Sequence, residues 1–223
     1  MSPEQVAAGS DPRFLFLYAL AWAGAAIAYT PFLTILLPVR VDLLAGTDNV
    51  RWLAATTFLG AIAASLANIL FGWLSDVTGH RRLWVATGLL LSSGLLCLFP
   101  HIERLGPLIL LILAWQMALN MMLGPLAAWA GDCVPDRLKG RLGGLLAFAP
   151  ASGALAGALV TMPGLADPPW RFAMVGMMAM ACVLPLLLLD PSGAVATRRS
   201  HRAAIAPLPW LRAMITRMWC ARL

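Results

Sequence analysis

Residues 72–82 read GWLSDVTGHRR and form a short charged turn between two long uncharged runs. The run before the first charge of this turn covers residues 52–75, and the run after its last charge covers residues 83–102. Each run reaches the roughly 17–25 apolar residues that a membrane-spanning helix needs. The turn is therefore predicted to join two transmembrane helices.

Uncharged runs of the same kind recur along the whole chain. Four more of them reach the spanning length, and they cover residues 14–39, 105–131, 142–166 and 172–189. Leu, Ala, Ile, Met and Gly dominate these runs, and the period-two alternation of a barrel strand is absent. Because lipid admits only helices and closed barrels, the sequence predicts an all-α membrane protein with six transmembrane helices.

The composition excludes other classes of protein. Hydrophobic residues make up 61% of the 223 residues and charged residues 12%, whereas a soluble domain has about 45–50% and about 25%. The same figures exclude low-complexity disorder. A cleaved signal peptide is also not expected, because the first apolar run is too long and the segment before it carries Glu4 and Asp11.

The net charge of +6 could suggest nucleic-acid binding, but the distribution of the basic residues favours a membrane. If the N-terminus lies inside, 12 of the 16 Lys and Arg residues lie on the inner side. Basic residues gather on the cytoplasmic side of membrane proteins, so both termini are predicted to be cytoplasmic, in a bacterial inner membrane. The outer side then holds Arg40, Arg51, Arg104 and Arg171.

The charge pattern also divides the chain into three parts. Residues 1–12 are predicted to be a cytoplasmic tail, residues 13–190 the six-helix bundle, and residues 191–223 a second cytoplasmic tail. The second tail has six Arg and no acidic residue, with apolar residues at helical spacing. An interfacial amphipathic helix and a solvated basic tail both fit this pattern.

The turn resembles the loop signature of the major facilitator superfamily, a Gly-x-Leu-x-Asp-Arg-x-Gly-Arg-basic pattern between helices two and three. Val77 and His80 depart from it, because they stand where the family usually has Arg. From the residues alone, Gly79 permits a reversal with positive φ, and Asp76 can pair with a nearby Arg. The matching residues are Gly72, Leu74, Asp76, Gly79, Arg81 and Arg82.

The resemblance implies a transporter that moves a small solute by alternating access, with Asp76 helping to latch two halves in one access state. Residues 135–141 similarly resemble the acidic–basic loop between helices four and five of the family. Members normally have two six-helix halves, so this chain is expected to be a truncated or half-size chain matching the N-terminal half. It would pair with a second half or with itself. The alternative is a membrane packing or regulatory protein that does not transport.

Small residues at four-residue spacing let helices pack closely in lipid. Gly153 and Gly157 form such a pair on helix five, and this stretch partly resembles the Gly-Pro signature of drug/proton antiporters, although its Gly spacing differs. We expect helix five to pack against helix two, which has a matching strip. That strip consists of Gly60, Ala64, Asn68 and Gly72.

The candidate substrate-facing residues are polar and aromatic. Tyr18, Trp22 and Tyr29 fall on one face of helix one, and Gln116 and Asn120 lie one turn apart on helix four. The family resemblance implies that helices one and four line the central cavity. The alternative is that the amides form interhelical hydrogen bonds and that Tyr18 anchors helix one at the membrane interface.

Helices one and four also share a short sequence pattern. Leu20-Ala21-Trp22 precedes Pro31 in the first, and Leu113-Ala114-Trp115 precedes Pro125 in the second. Three-plus-three inverted repeats are a known design of transporters, and this pattern suggests one.

Other chemistries are not expected. The spans contain no deep ionisable residue that would mark an ion relay, so an uncharged or amphiphilic solute is preferred. The four Cys residues show no ligand spacing, so neither a metal nor another cofactor is expected. Ser152 invites comparison with intramembrane serine proteases, but the three His residues lie in or near loops, and we expect no enzyme activity.

Overall fold

The computed structural model describes residues 11–189, and the two predicted tails lie almost entirely outside this part of the chain. The described part is built from helices. Short turns of other helical types lie at Phe32–Leu36 (π), Gly46–Asp48 (3₁₀) and Phe99–His101 (3₁₀). The α-helices are α1 (Pro12–Pro31), α2 (Leu37–Ala45), α3 (Asn49–Thr78), α4 (Arg81–Leu96), α5 (Leu105–Cys133), α6 (Asp136–Leu146), α7 (Ala149–Val160) and α8 (Pro168–Leu189).

The first helix begins as its sequence requires. The Asp11 side chain accepts a hydrogen bond of 2.8 Å from the backbone N–H of Arg13, which caps the helix. Pro12 occupies the first turn, where its missing N–H costs nothing. The π-turn follows Pro31 directly, and α2 continues from it, so residues 12–45 form one continuous helical rod.

Within residues 11–189, five helical stretches are long and apolar enough to cross a membrane: Pro12–Thr78, Arg81–His101, Leu105–Cys133, Asp136–Val160 and Pro168–Leu189. The predicted number was six. The first stretch has 67 residues and contains the first two predicted helices, because only the three-residue turn Gly46–Asp48 separates α2 from α3.

Two predicted loops are shorter than expected. The loop predicted at residues 76–82 is reduced to Gly79 and His80, because α3 continues to Thr78 and α4 begins at Arg81. The basic loop predicted between helices four and five is largely helical, since α6 begins at Asp136. Charged residues at the ends of apolar runs therefore extend helices here rather than interrupt them.

The helices pack as two groups of three, one formed by the second, third and fourth helices and the other by the first, fifth and sixth. We count the rod α1–α2 as the first helix, α3, α4 and α5 as the second to fourth, α6–α7 as the fifth and α8 as the sixth. The fourth helix packs along the second and third, the first packs along the fifth and sixth, and the third packs along the sixth. If the first, second and third helices are exchanged with the fourth, fifth and sixth, respectively, the list of contacts stays the same. This symmetry agrees with the suggested internal repeat.

The tightest contacts occur at glycines. A Cβ atom on Gly88 of α4 would collide with the backbone of α5 at Met122. A Cβ atom on Gly124 of α5 would lie 2.7 Å from the carbonyl oxygen of Asn68 on α3. Because lipid provides no hydrophobic drive for association, such backbone approaches and their van der Waals contacts hold the bundle together.

The predicted partner of helix five was wrong. A Cβ atom on Gly153 would lie 2.7 Å from the Oγ1 atom of Thr30, and one on Gly157 would lie 3.2 Å from the side chain of Ile35, so α7 packs against the first helix. Gly60 instead approaches Gln116 of α5. Small-residue strips permit close packing, but they do not specify the partner helix.

Aromatic rings fill the bundle at the end opposite the Gly79 turn. The ring centroid of Phe32, in the π-turn, lies 4.4 Å from that of Trp115 and 4.6 Å from that of Phe99. Phe172 of α8 stacks on Phe99 at 6.0 Å. This cluster joins the first, third, fourth and sixth helices.

Candidate functional site

The turn between α3 and α4 is closed by one glycine. Gly79 has φ +70° and ψ +7°, the left-handed conformation in which glycine commonly ends a helix. Its N–H donates to the carbonyl of Ser75 at 3.0 Å. With only Gly79 and His80 outside the helices, the chain reverses at once and brings Asp76 and Arg81 together.

Arg81 is the centre of an ion cluster at this end of the bundle. Its Nη2 atom donates to Oδ1 of Asp76 at 2.6 Å and to Oδ2 of Asp132 at 2.8 Å. The Arg81 side chain is 9% exposed, whereas the two carboxylates are 52% and 39% exposed. A buried guanidinium is thus held by carboxylates from α3 and α5. We call Asp76, Arg81 and Asp132 the Arg81 cluster.

Polar and aromatic contacts brace the turn beside this cluster. The indole N–H of Trp84 donates to the hydroxyl oxygen of Thr78 at 2.8 Å, and the Thr78 hydroxyl donates to the carbonyl of Leu74 at 2.7 Å. The ring of Phe71 lies 5.5 Å from that of Trp84. These contacts fix the start of α4 against the end of α3.

Besides Gly79, which forms the turn, two residues of the predicted gating loop lie outside the Arg81 cluster: Gly72 and Arg82. Arg82 is exposed. A Cβ atom on Gly72 would meet nothing within 4 Å, so Gly72 itself is not what admits the neighbouring helix. The close approach of α5 depends on Gly124, whose Cβ would lie 3.1 Å from the backbone nitrogen of Gly72.

Sequence reasoning missed Asp132 and Gly124. Asp132 is the acidic residue nearest the end of the fourth uncharged run, on the side predicted to be cytoplasmic and therefore on the side of Arg81. That placement was the available signal. Gly124 precedes Pro125 in an otherwise apolar run and gave no signal of its own.

The aromatic residues proposed to face a solute do not share one open surface. Tyr18 is 1% exposed, and its hydroxyl donates to the carbonyl of Leu126 on α5 at 2.8 Å. This corrects both its assignment to a cavity and the alternative of an interfacial anchor. Trp22 is half-buried beside Tyr18, with ring centroids 6.5 Å apart, whereas Tyr29 is exposed. The first helix packs along both α7 and α8, which buries much of its circumference.

The amides form a bridge between α3 and α5. Asn68 donates through Nδ2 to Oδ1 of Asn120 at 3.2 Å, and Asn120 donates through Nδ2 to the main-chain carbonyl of Gln116 at 2.9 Å, one turn earlier in α5. Gln116 and Asn120 are buried, Asn68 is exposed, and Ala64 is half-buried. Within residues 11–189, no hydrogen bond or ring contact joins these amides to Tyr18, Trp22 or Tyr29.

The described part of the chain contains no group of three His, Cys, Asp or Glu side chains able to hold a metal ion. The Arg81 cluster consists of one guanidinium and two carboxylates that pair with it. What it can do is electrostatic, because it ties the α3–α4 turn to the end of α5 and releases them when the helices separate.

The fold defines the class of this protein as an all-helical chain whose helices are long and apolar enough to cross a membrane. Comparison with protein-family models, with curated proteins and with solved structures finds no match for this chain.

Proposed function

We propose that this chain is one six-helix half of a membrane transporter of the major facilitator type, which moves a small solute by alternating access. The Arg81 cluster carries the proposal. It gathers Asp76 and Arg81 from the turn that resembles the family signature, and it joins them to Asp132. An ion cluster that joins three helices, α3, α4 and α5, is a contact that a helix motion can break and remake.

In this proposal the stretch Pro12–Thr78 crosses the membrane twice, which gives six spans. At about 1.5 Å per residue, residues 12–45 and 49–78 extend roughly 50 Å and 45 Å. Each length exceeds the roughly 30 Å of the hydrocarbon core. The turn Gly46–Asp48 then lies outside, and the Gly79 turn lies in the cytoplasm with both termini.

The helix contacts support a repeat architecture. The first helix packs along the fifth and sixth, the fourth packs along the second and third, and the third and sixth pack on each other. Transporters built from three-plus-three repeats use such arrangements, and their halves rock around a site near the middle of the membrane.

One half supplies one side of a solute cavity. Tyr29 and Asn68 are exposed on this half, although Asn68 also donates one hydrogen bond to Asn120. Tyr18, Gln116 and Asn120 are buried between helices. A second half, either a different chain or a second copy of this one, would supply the opposite wall and complete alternating access.

The test combines solute binding with uptake. The purified chain is screened for thermal stabilisation by sugars, organic acids and drugs, and each stabilising solute is then tested for uptake into proteoliposomes. We expect binding without uptake for a half. The binding should be weakened by Asn68→Leu and retained in Ser65→Ala, a matched change at another exposed polar residue of α3.

Other outcomes identify the alternatives. Saturable uptake by the purified chain would show that homodimers are self-sufficient. The absence of both binding and uptake would contradict transport. It would favour a packing or regulatory protein.

A further inference from the structure

A cavity of about 130 Å³ opens at the end of the bundle opposite the Gly79 turn. It lies where the end of the first helical rod, the turn Phe99–His101 and the start of α8 meet. Its volume is roughly ten times the minimum that holds one water molecule. Its lining includes two cations, Arg40 and Arg171. The rest of its wall is mostly apolar and includes Leu36, Val39, Leu43 and Phe172.

Both arginines of this cavity are held by backbone carbonyls. Arg40 donates through Nη2 to the carbonyls of Pro100 and Ile102, and its buried Nε atom has no acceptor among the described residues. Arg171 donates through Nε to the carbonyl of Ala166 at 3.3 Å. Carbonyls orient these guanidinium groups but leave their net charges in place.

Within residues 11–189, no carboxylate forms an ion pair with either arginine. Asp167 lies four residues before Arg171 and lines a neighbouring depression together with it, yet the two form no ion pair within residues 11–189. Two partly buried cations in one apolar cavity repel each other, and each has lost part of its hydration. An anion placed between them would offset both costs.

We propose that this cavity binds the anionic group of an amphiphile, a phosphate or carboxylate joined to an apolar chain. Guanidinium groups match the geometry of both anions and can donate two parallel hydrogen bonds to them. The apolar wall beside the arginines would receive the chain. This site does not depend on transport, so it stands whether or not the proposed function does.

The same chemistry has two sources. One is an anionic phospholipid, because guanidinium groups bind phosphate and this cavity lies at a helix end. The other is a free small acid that enters from the aqueous side. Both would use Arg40 and Arg171, and a competition experiment separates them.

The experiment uses native mass spectrometry of the purified full chain. Phosphatidylglycerol and phosphatidylcholine are added separately, each with and without hexyl phosphate as competitor. We expect preferential binding of phosphatidylglycerol that hexyl phosphate displaces. Arg171→Gln should weaken this binding about tenfold, the effect of losing one charge-assisted contact. Arg104→Gln, a matched change at an exposed arginine of the same end, should leave it unchanged.

The variants keep the proposal falsifiable. Arg40→Gln also removes contacts to two carbonyls, so its thermal unfolding is measured in parallel; Arg171 has only one long hydrogen bond to lose. Binding of hexyl phosphate without phosphatidylglycerol would make a free acid the ligand. The proposal would be overturned if each probe bound wild type and Arg171→Gln equally well. It would also be overturned if neither probe bound wild type.

Discussion

The two ends of the bundle hold a buried or half-buried arginine in opposite ways. At the Gly79 end, Arg81 is paired with two carboxylates that belong to two other helices. At the opposite end, Arg40 is held by the carbonyls of Pro100 and Ile102 and keeps its net charge. The first arrangement suits a contact between moving helices, and the second suits capture of an anion.

The largest expected effect comes from removing the central cation of the Arg81 cluster. Breaking a buried ion pair costs about 3–5 kcal/mol, and the partly exposed carboxylates reduce this to about 2–3 kcal/mol for Arg81→Met. Thermal unfolding of the purified protein measures it. Arg82→Met, at the exposed neighbour, should change stability by less than about 0.5 kcal/mol. Adding Asp76→Asn and Asp132→Asn to Arg81→Met should recover part of the lost stability. Equal stability of Arg81→Met and Arg82→Met would contradict a stabilising role of the Arg81 cluster.

The next effect concerns the packing of α3 on α5 beside the cluster. In Gly124→Ala the new Cβ would lie 2.7 Å from the carbonyl oxygen of Asn68, so the helices must separate. Overpacking of this kind costs about 1–3 kcal/mol. Gly72→Ala meets nothing within 4 Å and should be neutral or stabilising by up to about 1 kcal/mol through helix propensity. Chemical unfolding of the two variants side by side decides the point. If Gly72→Ala were the more destabilising, the assignment of the close contact to Gly124 would fail.

At the opposite end, Arg40→Met should cost less than Arg81→Met. The variant loses two hydrogen bonds to carbonyls, but it also removes a partly buried charge that has no anionic partner within residues 11–189. The net loss should be about 1 kcal/mol. Neutralising Asp167 in addition should restore nothing, because it is not paired with Arg40. A loss as large as that of Arg81→Met would show that the two ends are not distinct.

The smallest effects belong to the two carboxylates taken singly. Asp76→Asn and Asp132→Asn should each cost about 1 kcal/mol or less, because both side chains are partly exposed. Since both accept from the same Nη2 atom of Arg81, their effects should not add, with a coupling of at least about 0.5 kcal/mol in a double-mutant cycle. Strict additivity would mean that they do not share the arginine.

Much of the fold could be predicted from the chain itself. Long uncharged runs must be helical in lipid, and the helices follow those runs. Gly79 has the positive φ that its place in the turn predicted. The charged ends of the runs were harder to predict, because Asp76 and Asp136 extend helices where loops were expected.

Helix partners and site residues were not predictable in the same way. Packing in lipid depends on the shapes of two surfaces, and many helices here offer small residues. Gly153 therefore gave no sign that it faces Thr30 rather than helix two. Tyr18 shares a helix face with Trp22, yet its hydroxyl is bonded to Leu126 of α5, which lies 108 residues away in sequence.

The most direct test of the account is the topology of the stretch Pro12–Thr78. Single cysteines replace Arg13, Arg51 and Arg82, all exposed, in a variant whose four native cysteines are changed to alanine. An impermeant maleimide is applied to intact cells and to inverted membrane vesicles. We predict that Arg51→Cys reacts in intact cells, whereas Arg13→Cys and Arg82→Cys react only in inverted vesicles. Reaction of all three from one side, or of Arg82→Cys from outside, would contradict two crossings and place the Arg81 cluster on the wrong side of the membrane.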